Sequence, residues 1–140
     1  MSMSFHLDIV SASDSIFSGL ATMVFAPAVD GEIGIMPRHA PLLTTLKPGM
    51  VRIQADNKEE KNIFVSGGIL EIQPNIVTIL SDTAIRAQDL DEAAAMRAKE
   101  QAQSAIDNKQ SDFEYAKAKT ELIQAIAQIE SIRKIKKRNR

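Results

Sequence analysis

Few side chains in this sequence could do chemistry. The two histidines, His6 and His39, lie far apart, cysteine is absent, and no H-x-x-x-H pair occurs. A zinc site needs three or four N, S or O ligands at close quarters, so both histidines read as loop or surface residues and no metal is expected. Without cysteine there is no disulfide framework, thiolate site or cysteine nucleophile, which fits a reducing compartment. Neither G-x-S-x-G nor H-E-x-x-H is present. Gly31-Glu32-Ile33-Gly34 lacks the Lys and Ser/Thr of a phosphate loop. It also runs into Ile35-Met36-Pro37, and a proline there disfavours a helix start. No catalytic residue and no cofactor are expected.

Two segments carry interaction chemistry instead. Residues 30–43 hold Glu32, Arg38 and His39 among turn residues, with Ile33, Ile35, Met36, Leu42 and Leu43 beside them. That pattern suits an ordinary surface loop or a partner-docking loop equally. Residues 133–140 contain six basic residues and no acidic one. They read either as a solvated helix end favoured by the macrodipole or as a docking patch for an acidic surface. No aromatic residue is interleaved there to stack on bases.

The elements that position these segments follow from punctuation. The chain has 140 residues, 44% hydrophobic and 25% charged, with a formal net charge of -1. These values exclude a disordered chain and a globally basic nucleic-acid binder. All six Gly and all five Pro lie between Gly19 and Pro74. Both residue types interrupt regular elements. The first part is therefore turn-rich, and the last part is suited to continuous helix. The resulting expectation is an α+β protein: an N-terminal antiparallel β-sandwich over residues 1–86, then a two-helix hairpin over 87–140. No apolar run approaches the ~20 residues of a membrane span, and the start has no basic leader pattern. Together these point to a soluble intracellular protein.

Within the first part, Phe5, Leu7 and Ile9 alternate with polar residues, as a half-buried strand requires. Residues 21–25, Val51 with Ile53, 63–65, Leu70 with Ile72, and Val77 with Ile79 read as further strands. Gly19, residues 27–31, Pro48-Gly49, Asp56-Asn57 and Gly67-Gly68 read as turns between them. In the second part, Asp89 with Glu92 signals a helix start, and Ala94, Ala98, Ala102 and Ala105 recur at helical spacing. Residues 107–111 read as a loop, and Ser111 with Glu114 as a capping box. Leu122, Ile126, Ile129 and Ile132 form the stripe of a second helix of about 25 residues, ~37 Å long. Ile123 and Ile135 widen that stripe. An alanine face buries little area, at ~25 cal/mol per Å². The hairpin is therefore expected either to be weakly held and able to open, or to be permanently packed.

Four segments in order resemble one family. They are Phe5-His6-Leu7-Asp8; Gly31-Glu32-Ile33-Gly34-Ile35 with His39-Ala40-Pro41-Leu42-Leu43; Ser66-Gly67-Gly68-Ile69-Leu70-Glu71-Ile72-Gln73-Pro74; and Asp82-Thr83-Ala84-Ile85-Arg86-Ala87. Over essentially its whole length the chain resembles the epsilon subunit of bacterial F-type ATP synthases. The resemblance implies a non-catalytic central-stalk subunit that couples proton flow to ATP synthesis, at the cytoplasmic face of the inner membrane. It implies contact with the c-ring at Glu32 and His39, and with the gamma subunit at Ser11, Thr44, Ser66, Glu71 and Thr78. The alternative for those five is ordinary polar positions on strands and turns. By the same resemblance the second helix extends along gamma into the alpha–beta hexamer and inhibits hydrolysis. Ile123, Ile126 and Ile129 would then be buried, and Arg133, Lys134, Lys136 and Lys137 would meet acidic residues of beta.

One departure matters. Some members bind ATP through an Ile/Leu-Asp-x-x-Arg-Ala motif. Here the segment is Leu90-Asp91-Glu92-Ala93-Ala94-Ala95. Ala94 replaces the arginine, so no useful nucleotide site is expected; Arg86 and Arg97 are the nearest substitute donors. The alternatives to this family reading are a free-standing sandwich-and-arm adaptor or a small nucleic-acid-binding module using the basic tail.

Overall fold

The computed structural model describes residues 3–56, 59–108 and 111–138. They fall into two compact units, 1–88 and 89–140. Asn57, Lys109, Gln110, Asn139 and Arg140, which belong to the expected turn, loop and tail, lie outside the described residues.

The first unit contains β1 (Phe5–Val10), β2 (Ser15–Ala21), β3 (Met23–Ala28), β4 (Gly31–Ile35), β5 (Leu42–Gln54), β6 (Glu60–Ile72), β7 (Ile76–Leu80) and β8 (Ala84–Arg86). One hydrogen-bonded path runs β2-β1-β7-β6-β5-β3-β4, with β8 on β6. The two long strands fold this sheet onto itself. Residues 42–46 of β5 and 68–72 of β6 belong to a first layer with β7, β1 and β2. Residues 48–54 and 60–66 belong to a second layer with β3, β4 and β8. Every pairing is antiparallel except β1 with β7, which is parallel. The sandwich is thus mostly antiparallel, as expected; the parallel pair arises because β3 to β6 intervene before β7 returns to β1, so no hairpin constrains the direction.

Pro48-Gly49 and Gly67-Gly68, read from sequence as turns, lie inside β5 and β6. They are bends at which the core-facing parity switches. Ile63 and Val65 face the core before the glycines, and Leu70 and Ile72 after them. In β5 Leu46 faces inward before the bend, and Val51 and Ile53 after it. Gly68 has φ +137, and a Cβ there would lie 1.9 Å from the Leu80 carbonyl oxygen. Only glycine fits a backbone in that region at so close an approach.

Two further readings are corrected. Gly19 is not a turn residue; it lies in β2 opposite Leu7. Residues 21–25 are not one strand, because the chain passes from β2 to β3 at Thr22. The core is apolar throughout. Leu7, Ile9, Leu70, Ile72, Val77 and Ile79 of the first layer meet Val24, Ala26, Ile35, Val51, Ile53, Ile63 and Val65 of the second.

The second unit is an antiparallel hairpin of α1 (Glu92–Asp107) and α2 (Asp112–Arg138). Asp91, not Asp89, caps α1, accepting from the amides of Ala93 at 2.9 Å and Ala94 at 3.3 Å. Asp89 ends a short 3-10 turn. Ser111 Oγ accepts from the Glu114 amide at 3.1 Å, the first half of the expected capping box. The alanine stripe differs in detail: Ala95 and Ala102 are buried, whereas Ala94, Ala98 and Ala105 are exposed. On α2 the buried positions are Ala118, Ala125, Ile129, Ser131 and Ile132. With half-buried Leu122, residues 118, 122, 125, 129 and 132 follow heptad spacing.

Candidate docking surface

Cross-strand partners share a face of a sheet, so the register fixes what each face of the first layer shows. The row Thr44–Leu70–Ile79–Ile9–Phe17 faces the core. The next row, Leu43–Glu71–Thr78–Asp8–Ser18, faces outward. Two apolar groups flank it: Ile69 and Leu80 with Val10 on one side, and Ile76 and Leu20 with His6 on the other. Leu20, Leu43, Ile69, Ile76 and Leu80 are between 44% and 68% exposed. So many large apolar side chains on one sheet face mark an interaction surface.

The polar centre of this face is ordered. Ser18 Oγ donates to Asp8 Oδ1 at 2.7 Å, and His6 Nε2 lies 2.9 Å from the same oxygen and 3.2 Å from Ser18 Oγ. The Ser18 hydrogen bond, aided by the His6 ring and opposed by desolvation, holds the Asp8 carboxyl below its ordinary value. The serine proton is directed to the Asp8 carboxylate, and a single His6 nitrogen, Nε2, faces both oxygens, so the imidazole does not bridge serine and aspartate through its two nitrogens as a triad base does. The cluster therefore orients polar groups rather than activating a nucleophile.

Beyond Ile69 and Leu80 the face opens into a cleft of about 420 Å³. It is lined by Val10, Ser11, Ser66, Gly68, Ser81 and Asp82, among others. Ser11 closes the β1–β2 turn through Asp14, and its hydroxyl lies 3.2 Å from both the Asp14 amide and carbonyl. Ser66 Oγ lies 3.2 Å from Ser81 Oγ and accepts from the Thr83 amide at 3.1 Å. Four of the five residues singled out from sequence for one partner thus meet here: Ser11 and Ser66 at the cleft, and Glu71 and Thr78 on the outward row. Thr44 does not join them, because its row faces the core. Ser11 is buried and Ser66 half-buried, so neither is an ordinary exposed polar residue. Leu43 entered the sequence reading as part of the 30–43 segment, whereas Leu20, Ile69, Ile76 and Leu80 escaped it. Their signal was present: Ile69, Ile76 and Leu80 stand out of phase with the core alternation of their own strands.

Glu32 and His39 are separated. Glu32 lies in β4, paired opposite Pro27, so the segment 30–43 is not wholly outside the sheets. Arg52 Nη2 donates to Glu32 at 3.1 Å while its guanidinium lies over the Phe25 ring, 4.2 Å from the centroid. His39 lies beyond the other end of β4, in a turn where its amide donates to the Met36 carbonyl and its Nδ1 approaches Ala40 O at 2.7 Å. Roughly 10 Å of strand separates Glu32 from Ile35. Arg86, a substitute phosphate donor in the sequence reading, donates to Ile16 O at 3.0 Å and ties β8 to β2.

Two family models cover the chain nearly end to end. The beta-sandwich domain of the ATP synthase delta/epsilon chain matches residues 4–87, and the long alpha-helix domain of the same chain matches residues 88–133. The chain belongs to the ATP synthase delta/epsilon chain family. It is 58% identical over 134 residues to the ATP synthase epsilon chain of Nitrosomonas eutropha, covering 96% of each chain. It is 53% identical over 141 residues to that of Thioalkalivibrio sulfidiphilus, covering 100% of each. The fold is similar to a chain of the Euglena gracilis mitochondrial ATP synthase, in its OSCP/F1/c-ring structure. The TM-score is 0.78 at 16% identity, over 89% of this chain and 78% of that one. It is also similar to a chain of the central stalk/c-ring structure from Tetrahymena thermophila, at TM-score 0.63 and 13% identity, over 94% and 98%. Membership in this delta/epsilon family makes the chain a non-catalytic stalk subunit of the rotary ATP synthase, a proton-transporting complex. Among the described residues, no helix is long and apolar enough to cross a membrane.

Proposed function

We propose that the sandwich docks on the gamma subunit through the outward face of its first layer and stands on the c-ring through the turn bearing His39 and the strand bearing Glu32. The hairpin then regulates hydrolysis by the alpha–beta hexamer. In this reading the subunit couples proton flow through the ring to ATP synthesis. It is held peripherally at the cytoplasmic face of the bacterial inner membrane. The domains are 1–86 for docking and 87–140 for regulation, and no nucleic acid is bound.

The observation that carries the reading is the face itself. Leu20, Leu43, Ile69, Ile76 and Leu80 surround an ordered polar centre beside a cleft. Several large exposed apolar side chains on one sheet face, flanking a polar row, mark a protein interaction site. An acid at Leu80 or Ile69 would sit on the surface and leave the core intact. Leu80→Asp and Ile69→Asp are therefore expected to retain the sandwich's thermal transition while weakening binding to purified gamma about thirty-fold or more. Titration calorimetry measures this. Unchanged affinity in both variants would place gamma elsewhere.

The regulatory reading rests on the hairpin's composition. The extended arm would bury Ile123, Ile126 and Ile129, of which Ile123 is 48% exposed within the hairpin and Ile126 half-buried. It would also bring Arg133, Lys134, Lys136 and Lys137 to acidic residues of beta.

A further inference from the structure

The first turn of α1 and the last turns of α2 are joined by one acidic side chain. Lys136 Nζ donates to Glu92 Oε2 at 2.6 Å, and Arg133 Nε lies 3.6 Å from Glu92 Oε1. Arg133 and Lys136 are three residues apart on a helix and so share a face. One carboxylate thereby engages both cations with separate oxygens. The cations favour the ionised form, and the Glu92 carboxyl is held below its usual range, with the Lys136 hydrogen bond the largest cause. These are two of the four basic side chains that the extended arm would offer to an acidic partner.

We propose that Glu92 is an intramolecular competitor for the carboxylate-binding surface formed by Arg133 and Lys136. The hairpin occupies its own docking patch, and an acidic partner surface engages the patch by displacing Glu92. This rests on the reading of the arm as a ligand for acidic residues and adds what that reading lacks, a built-in occupant of the patch. Asp91 caps α1 independently of Glu92, so removing the Glu92 charge leaves the helix start in place. The exchange replaces the two surface ion pairs of Glu92, with Lys136 and Arg133, by pairs to the partner's carboxylates. Each such pair is weak and screened by salt, so the competition tunes the arm and does not lock it.

The test uses the isolated full-length chain and poly-L-glutamate as the acidic probe, at low ionic strength. Glu92→Gln is expected to bind the probe about two- to five-fold more tightly than the wild type. The gain should shrink as salt is added. Glu100→Gln, an exposed α1 position, removes the same unit of charge away from the clasp and is expected to leave binding near the wild-type value. In an Arg133→Gln/Lys136→Gln background the Glu92 substitution is expected to have no effect. Equal affinities for wild type and Glu92→Gln would overturn the proposal. So would an equal gain from Glu100→Gln, or a gain that persists without Arg133 and Lys136. Because no hexamer is present, these outcomes are independent of whether the arm inhibits hydrolysis.

Discussion

Asp8 shows how a polar residue can be useful on a face that is mostly apolar. A lone carboxylate between Leu80 and Leu20 would resist desolvation when a partner arrives. Ser18 and His6 satisfy it beforehand, so the cost of covering the face is reduced. The lowered pKa gives this arrangement a sign. Its contribution to stability is present above the ordinary aspartate range and is lost as pH falls through the lowered folded value. Ser18→Ala removes the largest cause and is expected to raise the Asp8 pKa toward its ordinary value, moving that loss to higher pH. An NMR titration of the Asp8 carboxyl carbon reads the change directly. An unchanged midpoint would show that His6 alone sets the value. The alternation of β1 puts His6 and Asp8 on one face, but Ser18 joins them only through the β1–β2 register, which the sequence did not reveal.

Elements whose periodicity is unbroken were legible: β1, β7 and α2 stand where alternation and helical spacing place them. The bends and turns were misread at glycine and proline, whereas the strand break at Thr22 and the cap at Asp91 carry no such residue. A bend inside a long strand and a turn between two short ones use the same residues, so Pro48-Gly49 and Gly67-Gly68 read as strand ends. β2 was missed because Gly19 suggested a turn and its outward face carries both Ser18 and Leu20. The Gly68 bend brings β6 against the Leu80 carbonyl and forms one wall of the cleft. Gly68→Ala would place Cβ inside that oxygen's contact distance at a positive φ. It is expected to cost about 3 kcal/mol, seen as a lower denaturant midpoint. At the hairpin, Asp91 accepts from two amides as a cap, which accounts for its presence without a nucleotide. Asp91→Ala is expected to destabilise α1 by about 1 kcal/mol, observable as faster amide exchange in the first turn. Added ATP is expected to leave both the wild-type and the variant exchange rates unchanged, and protection by ATP would restore the nucleotide reading.

At the scale of the whole molecule the two units differ in what holds them together. The sandwich core draws entirely on residues between Phe5 and Ile79, with Ala84 packed against it. The hairpin seam is built largely from Ala95, Ala102, Ala118 and Ala125, with Ile129 and Ile132 at one end. Alanine contributes little apolar area, at ~25 cal/mol per Å², so the α1–α2 contact is modest for helices of this length. A contact of that size can be exchanged for another when a partner offers comparable burial and charge. Truncation after Ala87 separates the roles. The truncated chain keeps every core residue and the whole outward face, so it is expected to fold, to unfold cooperatively on heating, and to bind gamma with wild-type affinity. In the assembled complex it is expected to release ATP hydrolysis, because the arm is gone. Reversing the charges of Arg133, Lys134, Lys136 and Lys137 in the full chain is expected to reproduce part of that release, more clearly at low salt, where exposed charges are least screened. If the truncated chain assembles and hydrolysis stays as suppressed as with the full chain, the hairpin is not the inhibitory element, and its contribution would be confined to assembly or stability.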